Sequence, residues 1–290
     1  MGDDRTTTNV GPATVTGAGG SPVDMADLPD GFVPRRIKRV VPETRDAVSI
    51  VLDVPQGSAE SFGYQAGQFL TLLVCVDGRE YRRCYSMSSS PAAGEDLRIT
   101  VKRDRNGVVS NWLNDTAAPG DRLYALPPQG RFVLHDTDRP LVAFAGGSGI
   151  TPVFSLLRTA LVSGSRSSRL FYANRHRGAV IFDEGLESLH RRHRDRFVLH
   201  HHLDDESGFA TRADVDGFVQ NADGADFYVC GPNEFMETVR TALDAAGVPA
   251  GRLHVEHFDV TDVAAAAPPD TDAVTDEVTI VLDGSTTTAP

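Results

Sequence analysis

Cysteine is scarce in this 290-residue chain: Cys75, Cys84 and Cys230 stand far apart and are odd in number. That pattern excludes a disulfide framework and points to a reducing, cytoplasmic setting. No Cys-x-x-Cys pair occurs, so the chain lacks a thiolate set to hold an iron–sulfur cluster by itself. Long apolar runs are missing too, none reaching the ~20 residues of a membrane span. Positive charge is in deficit, with 28 Lys and Arg against 40 Asp and Glu and a formal net charge of −12. Nucleic acid and anionic membranes are therefore not expected partners. Residues 1–30 are rich in Thr, Gly and Asp and lack an apolar signal core. They read as a solvated, disordered arm rather than a secretory leader.

What is present suffices for about two domains of ordinary size. Between residues 31 and 136 the pattern is one of short strands: Ile37–Val41, Val48–Leu52, Gln68–Val76, Arg82–Ser86, Leu97–Arg103 and Arg122–Ala125. Turn signals such as Asp77-Gly78, Asn106-Gly107 and Pro127-Pro128 break them up, as in a small antiparallel β-barrel. One helix is expected at Val109–Asn114, with Ser110 as its N-cap.

From 137 to 260 the texture changes. Strands at Leu141–Ala145, Arg169–Ala173, Phe197–His202, Phe227–Cys230 and Leu253–Phe258 alternate with helical spacing at Pro152–Ser163, Glu184–His193, Ala213–Val219 and Asn233–Ala246. Alternation of this kind predicts a parallel sheet with helices on both faces. Residues 261–276 read as a linker. Glu277–Gly284 then alternates like a strand with nothing to pair against. The start of a further domain, cut short, is expected there; a strand added to an existing sheet is the alternative.

Two stretches carry the chemistry. Arg82-Arg83-Cys84-Tyr85-Ser86 combines guanidinium groups for phosphate, an aromatic face for a planar ring, and a hydroxyl that donates and accepts. Gly146-Gly147-Ser148-Gly149-Ile150-Thr151-Pro152 follows the first strand of the second half. Glycines admit a close backbone approach there, and a helix N-terminus favours an anion. Its spacing differs from Gly-x-Gly-x-x-Gly, so the usual dinucleotide fingerprint does not apply.

Three further features surround these. Cys230-Gly231-Pro232 ends a later strand, and its thiol is expected to face the same crevice; a small buried Cys before a turn is the plainer alternative. Gly107-Val108-Val109-Ser110 joins a strand to the short helix and offers amides to a phosphate. Phe258 could cover a planar cofactor, or be an ordinary core residue. His200-His201-His202 invites a metal reading, which the absence of carboxylate or Cys at ligand spacing disfavours. No metal is expected.

In combination and in order, Arg-x-Tyr-Ser, Gly-x-x-Ser, Gly-Gly-x-Gly-Ile-Thr-Pro, Cys-Gly-Pro and a terminal aromatic resemble the ferredoxin–NAD(P)+ reductase superfamily over about residues 31–260. Within it the chain is most similar to oxygenase reductase components, such as those of 3-ketosteroid 9α-hydroxylase and phenylacetyl-CoA epoxidase. Those carry a C-terminal plant-type [2Fe-2S] ferredoxin domain, and Val278–Leu282 resembles its opening.

The resemblance implies FAD, with Arg83 on its pyrophosphate, Tyr85 stacked on the ring and Ser86 near the reacting nitrogen. Thr100, Val101 and Lys102 would line the cofactor. Cys84 would line it too, or simply fill space against the barrel wall. Gly107 to Ser110 would hold phosphate. Gly146, Gly147, Ser148, Gly149, Thr151, Cys230, Gly231 and Pro232 would receive NADH or NADPH, with Phe258 guarding the flavin. Ser86, Tyr85, Cys230 and Phe258 would be the catalytic set.

Hydride transfer from nicotinamide to flavin, then single-electron delivery to an iron–sulfur acceptor and a terminal oxygenase, is the reaction so implied. A stand-alone flavin reductase and a non-catalytic FAD-housing subunit are the rivals. Arg175 and Arg177 favour a 2′-phosphate, while Asp183-Glu184 nearby weakens that preference.

Overall fold

The computed structural model describes residues 28–55 and 61–258, and the backbone of strands at 278–282 and 285–289. Six strands make the first sheet: β1 (Val33–Thr44), β2 (Ala47–Leu52), β3 (Phe69–Val76), β4 (Arg79–Ser86), β5 (Arg98–Lys102) and β6 (Arg122–Ala125). Their spatial order is β4-β3-β6-β1-β2-β5, every pairing antiparallel. The two edges meet through a bridge between Met87 and Ile99, which closes the sheet into a barrel. Alternate residues point inward, so Ile37, Ile50, Leu52, Leu70, Leu72 and Val74 share one core.

Helix α1 (Val108–Thr116) packs Val109 and Leu113 against that core. Its N-cap is Gly107, not Ser110. Ser110 lies within the first turn, and its Oγ accepts from the Asp104 N–H at 3.1 Å. The hydroxyl serves the preceding loop, so no side chain caps the helix.

The second sheet is parallel. It contains β7 (Leu141–Gly146), β8 (Ser168–Asn174), β9 (Phe197–Leu203), β10 (Asp226–Cys230) and β11 (Leu253–Glu256), in the order β11-β10-β7-β8-β9. Helices α2 (Ile150–Ser163) and α3 (Asp183–Arg192) cover one face, where Leu156, Leu186 and Leu189 meet Ala143, Tyr172 and Tyr228. After the short α4 (Asp204–Ser207), α5 (Arg212–Phe218) and α6 (Asn233–Ala245) cover the other, packing Phe218 and Val239 on Phe144 and Phe171. Strands buried on both faces need apolar side chains at successive positions, which is why Leu141–Ala145 shows no polar alternation. The chain crosses from β9 on one side of β7 to β10 on the other. A crevice opens at such a reversal, beyond the carboxyl ends of β7 and β10.

The barrel and the parallel sheet are fastened along Ser89 and Ser90. Ser155 Oγ of α2 donates to the Ser89 carbonyl at 2.6 Å, Ser90 Oγ lies 2.8 Å from Thr159 Oγ1, and Arg158 of α2 pairs with Glu95. These serines, which follow β4, hold protein to protein.

The strand at the end of the chain is not alone. β12 (Val278–Leu282) pairs antiparallel with β13 (Ser285–Ala289). The Ser-Thr-Thr-Thr-Ala run escapes the sequence reading because it has no apolar alternation, although threonine suits a strand. The expected linker at 261–276 and nearly all of the N-terminal arm lie outside the described residues. No helix among the described residues is long and apolar enough to cross a membrane.

Candidate functional site: two adjoining cavities at the seam

A first cavity of about 170 Å³ opens between the barrel and the carboxyl edge of the parallel sheet. β4 contributes Arg83, Cys84, Tyr85 and Ser86, and β5 contributes Thr100 and Lys102. Gly107, Val109 and Ser110 supply one end, Ser148 and Thr151 the opposite wall, and Phe258 the cover. Asp104 also lines it, a residue the sequence reading passed over. Val101 points into the barrel core instead, because it alternates with Thr100 and Lys102. Val108 is exposed and does not line the cavity.

Cys84 does not fill space against the barrel wall. It is exposed, with its Sγ 3.5 Å from Thr71 Oγ1. The period of two explains this: Tyr81 and Tyr85 turn toward the barrel core, so Cys84 takes the outer face. Burial pushes the Tyr85 phenol well up, against a smaller lowering from Arg83, so it stays a neutral ring. Arg83 donates to the Arg82 carbonyl at 2.8 Å, and its guanidinium lies 5.5 Å from the Tyr81 ring.

A second cavity of about 370 Å³ lies on the other side of the glycine turn. Gly146, Gly147, Asn174, Arg175, Asp204 and Phe209 line it, with Pro232, Glu234 and Phe235 opposite. Lys102 lines both cavities. Burial lowers its amine pKa, Arg175 lowers it further, and Asp46 partly offsets the two. Gly147 has φ +52, and an added Cβ there would lie 3.1 Å from Lys102 Nζ. The Gly147 carbonyl accepts from the Tyr172 hydroxyl at 3.0 Å, which fixes the turn from below.

Not every glycine of the turn makes room for a ligand. A Cβ on Gly149 would fall 2.1 Å from the Cys230 carbonyl oxygen. That position lets the ends of β7 and β10 touch. Gly231 sits against the backbone of Gly146 in the same contact and lines neither cavity. The Cys230 side chain belongs to the core under α2 rather than to the crevice wall. Burial, with Glu256 adding, pushes its thiol well up, so it is held protonated. Burial also raises the Glu256 carboxyl.

The triple histidine divides as its strand geometry requires. His200 and His202 pack on Phe171, and His201 turns to the opposite face. There the structure does bring carboxylates: Asp183, Glu187 and His201 hold ligand-type atoms within 4.8 Å of one another. Arg177 already occupies the pair, 2.7 Å from Asp183 and 3.4 Å from Glu187.

The first cavity fits a flavin nucleotide. Arg83, Lys102 and the uncapped first turn of α1 are the donors a pyrophosphate requires, and Tyr85 supplies a neutral ring. The second fits a nicotinamide nucleotide set against it across the glycine turn. The Oxidoreductase FAD-binding domain family matches residues 36–134, and the Oxidoreductase NAD-binding domain family matches residues 144–241. The chain is 40% identical over 240 residues to the ferredoxin reductase component of 3-ketosteroid-9-alpha-monooxygenase from Mycolicibacterium smegmatis.

The chain belongs to the ferredoxin reductase family.

The alignment with the M. smegmatis component covers 81% of this reductase and 68% of that relative. Among solved structures, phthalate dioxygenase reductase, described as modular for electron transfer from pyridine nucleotides to [2Fe-2S], is 30% identical. That match has a TM-score of 0.66 and covers 90% of this chain and 77% of that one. The FAD/NAD-binding domain of nitric oxide dioxygenase from Vibrio cholerae is 29% identical, with a TM-score of 0.70 over 79% of this chain and 98% of that one. The reductase is thus an FAD- and NAD(P)H-dependent oxidoreductase, with an antiparallel FAD-binding half before a parallel-sheet NAD-binding half.

Proposed function

We propose that this reductase serves an oxygenase system, drawing electrons from a reduced nicotinamide and delivering them to an iron–sulfur centre. Bound FAD supplies the hydride acceptance and single-electron release that this requires. The observation that carries the reading is the junction of two cavities at Lys102, one built for a flavin nucleotide and one for its reductant. Arg83 and the first-turn amides of α1 bind pyrophosphate, and Lys102 neutralises charge where the two nucleotides adjoin. Tyr85 would stack on the ring, Ser86 would offer its hydroxyl to the ring's edge, and Phe258 would keep water from it. Cys230, protonated in the core, positions the turn on which the nicotinamide rests. Placement matters here because correct positioning alone is worth ~7–11 kcal/mol of a barrier.

An iron–sulfur acceptor is favoured by the relatives' names, and the three free cysteines fit a cytoplasmic setting. The test is anaerobic reduction of a purified plant-type [2Fe-2S] ferredoxin by the FAD-loaded protein and a reduced nicotinamide. Cluster reduction in proportion to enzyme supports the reading. Flavin reduction with transfer no faster than that from free reduced flavin would make the protein a flavin reductase instead.

A further inference from the structure

A chain of three buried hydroxyls crosses the outer face of β2 and β5. Ile50, Ile99 and Val101 fill the barrel core, so Ser49 and Thr100, at the alternate positions, point outward. The two stand opposite each other in register. The parallel-sheet half covers them there, and Ala47, on the same face of β2, belongs to that half's core. Ser49 Oγ donates to the Glu43 carboxylate at 2.5 Å and lies 2.8 Å from Thr100 Oγ1. Thr100 Oγ1 lies 2.7 Å from Ser88 Oγ, which accepts from the Arg98 Nε–H at 3.1 Å. Ser49, Ser88 and Thr100 are buried, and Glu43 is half-buried.

Counting protons gives the chain a direction. Each hydroxyl has one proton, and a carboxylate only accepts. Ser49 spends its proton on Glu43, so Thr100 spends its own on Ser49. Ser88 then donates to Thr100, its contact with the Arg98 carbonyl being longer at 3.4 Å. Every bond therefore points from the Arg98 guanidinium to the Glu43 carboxylate. Burial lowers the Arg98 pKa, the Glu43 charge is the first effect to oppose it, and an arginine stays protonated. Charged ends polarise the bonds between them. Thr100 also lines the first cavity, beside Tyr85 and Ser86. With its proton committed to Ser49, it offers that cavity a lone pair and no donor.

We infer that Glu43 and Ser49 are positioning residues that lock Thr100 as a hydrogen-bond acceptor toward the flavin and thereby favour its reduced form. The oxidised ring presents a lone pair at N5. Two electrons and a proton turn N5 into an N–H donor, which an acceptor-only hydroxyl satisfies and a lone pair does not. The inference rests on the FAD site of the function proposed above and not on its electron acceptor. Potentiometric titration of the FAD-loaded protein with dithionite and a reference dye tests it without turnover. Thr100→Val keeps the shape and removes the acceptor. It should lower the reduced-to-oxidised ratio about fivefold at a given potential, a midpoint shift of ~20 mV for a two-electron couple. Ser49→Ala frees the Thr100 proton to turn toward the oxidised ring and should lower the midpoint by a similar amount. Glu43→Gln should lower it by less, because a carboxamide still accepts but no longer fixes the direction. Thr100→Ser should keep the parent midpoint.

A merely structural role would weaken FAD equally in both redox states and leave the midpoint where it is. Midpoints of Thr100→Val and Glu43→Gln equal to or above that of the parent overturn the inference, whether or not Ser49→Ala folds, and leave the FAD site standing. A parent protein that retains no FAD overturns the flavin reading itself.

Discussion

Lys102 reaches from the last strand of the barrel's closed edge to the glycine turn of the parallel sheet, where its Nζ would lie 3.1 Å from a Cβ on Gly147. One cation is thereby shared between the two cavities. An anionic ligand favours the charged amine, so coenzyme affinity is full below the lysine pKa and falls as pH rises through it. Burial, then Arg175, lower that pKa, so the fall begins below the ~10.4 of an exposed lysine. Lys102→Gln should raise the nicotinamide KM about tenfold, the weight of a charged hydrogen bond, and flatten the alkaline limb of the KM–pH profile.

Cys84 reports on the first cavity directly. It is the exposed thiol of the three and lines that cavity, whereas Cys230 is buried and held protonated. A colorimetric disulfide reagent should find one fast thiol in the FAD-free protein, absent in Cys84→Ser. FAD should slow that reaction. In Arg83→Ala the protection should need more FAD, because a charged phosphate contact is gone.

The seam between the halves depends on Ser155. Its hydroxyl is buried and donates to the Ser89 carbonyl at 2.6 Å. Ser155→Ala leaves that carbonyl without its partner and should cost about 1–3 kcal/mol. Denaturant titration followed by calorimetry should show the lost stability and a wider separation between the unfolding of the two halves.

Asp226, at the amino end of β10, is buried at the far edge from the cavities. Burial raises its pKa, but the Thr137 hydroxyl at 2.6 Å, with Arg139 and Arg166, outweighs burial and holds the carboxyl below its ordinary range. A depressed carboxyl stabilises the fold fully above its unfolded value of ~3.9, and that stability is lost as pH falls through the folded value. Asp226→Asn leaves Arg166 buried beside an uncharged partner and should cost ~3–5 kcal/mol. Acid titration of folding should show a shallower decline in the variant than in the parent.

Much of this architecture is legible locally. Strand alternation and Gly–Pro punctuation in residues 31–136, and the strand–helix rhythm after Leu141, depend on near neighbours, so element order can be read from them. The Arg83–Ser86 and Gly146–Thr151 stretches stand out for the same reason: each concentrates its chemistry in a few consecutive residues. What escapes depends on distant pairing. Gly149 is glycine because of Cys230, Ser89 and Ser90 serve α2, and Arg177 is captured by a helix that begins six residues later. Phe209 and Asp204 carry no motif; only their meeting with Asn174 across the cavity marks them.

In the proposed reaction a flavin in the barrel and a nicotinamide on the parallel sheet meet at Lys102. Anaerobic stopped-flow mixing of the FAD-loaded protein with NADH tests it most directly. Rapid bleaching of the oxidised-flavin band, saturable in NADH, is expected, with the half-saturating concentration raised in Lys102→Gln. Absence of bleaching with NADH and NADPH alike would contradict it.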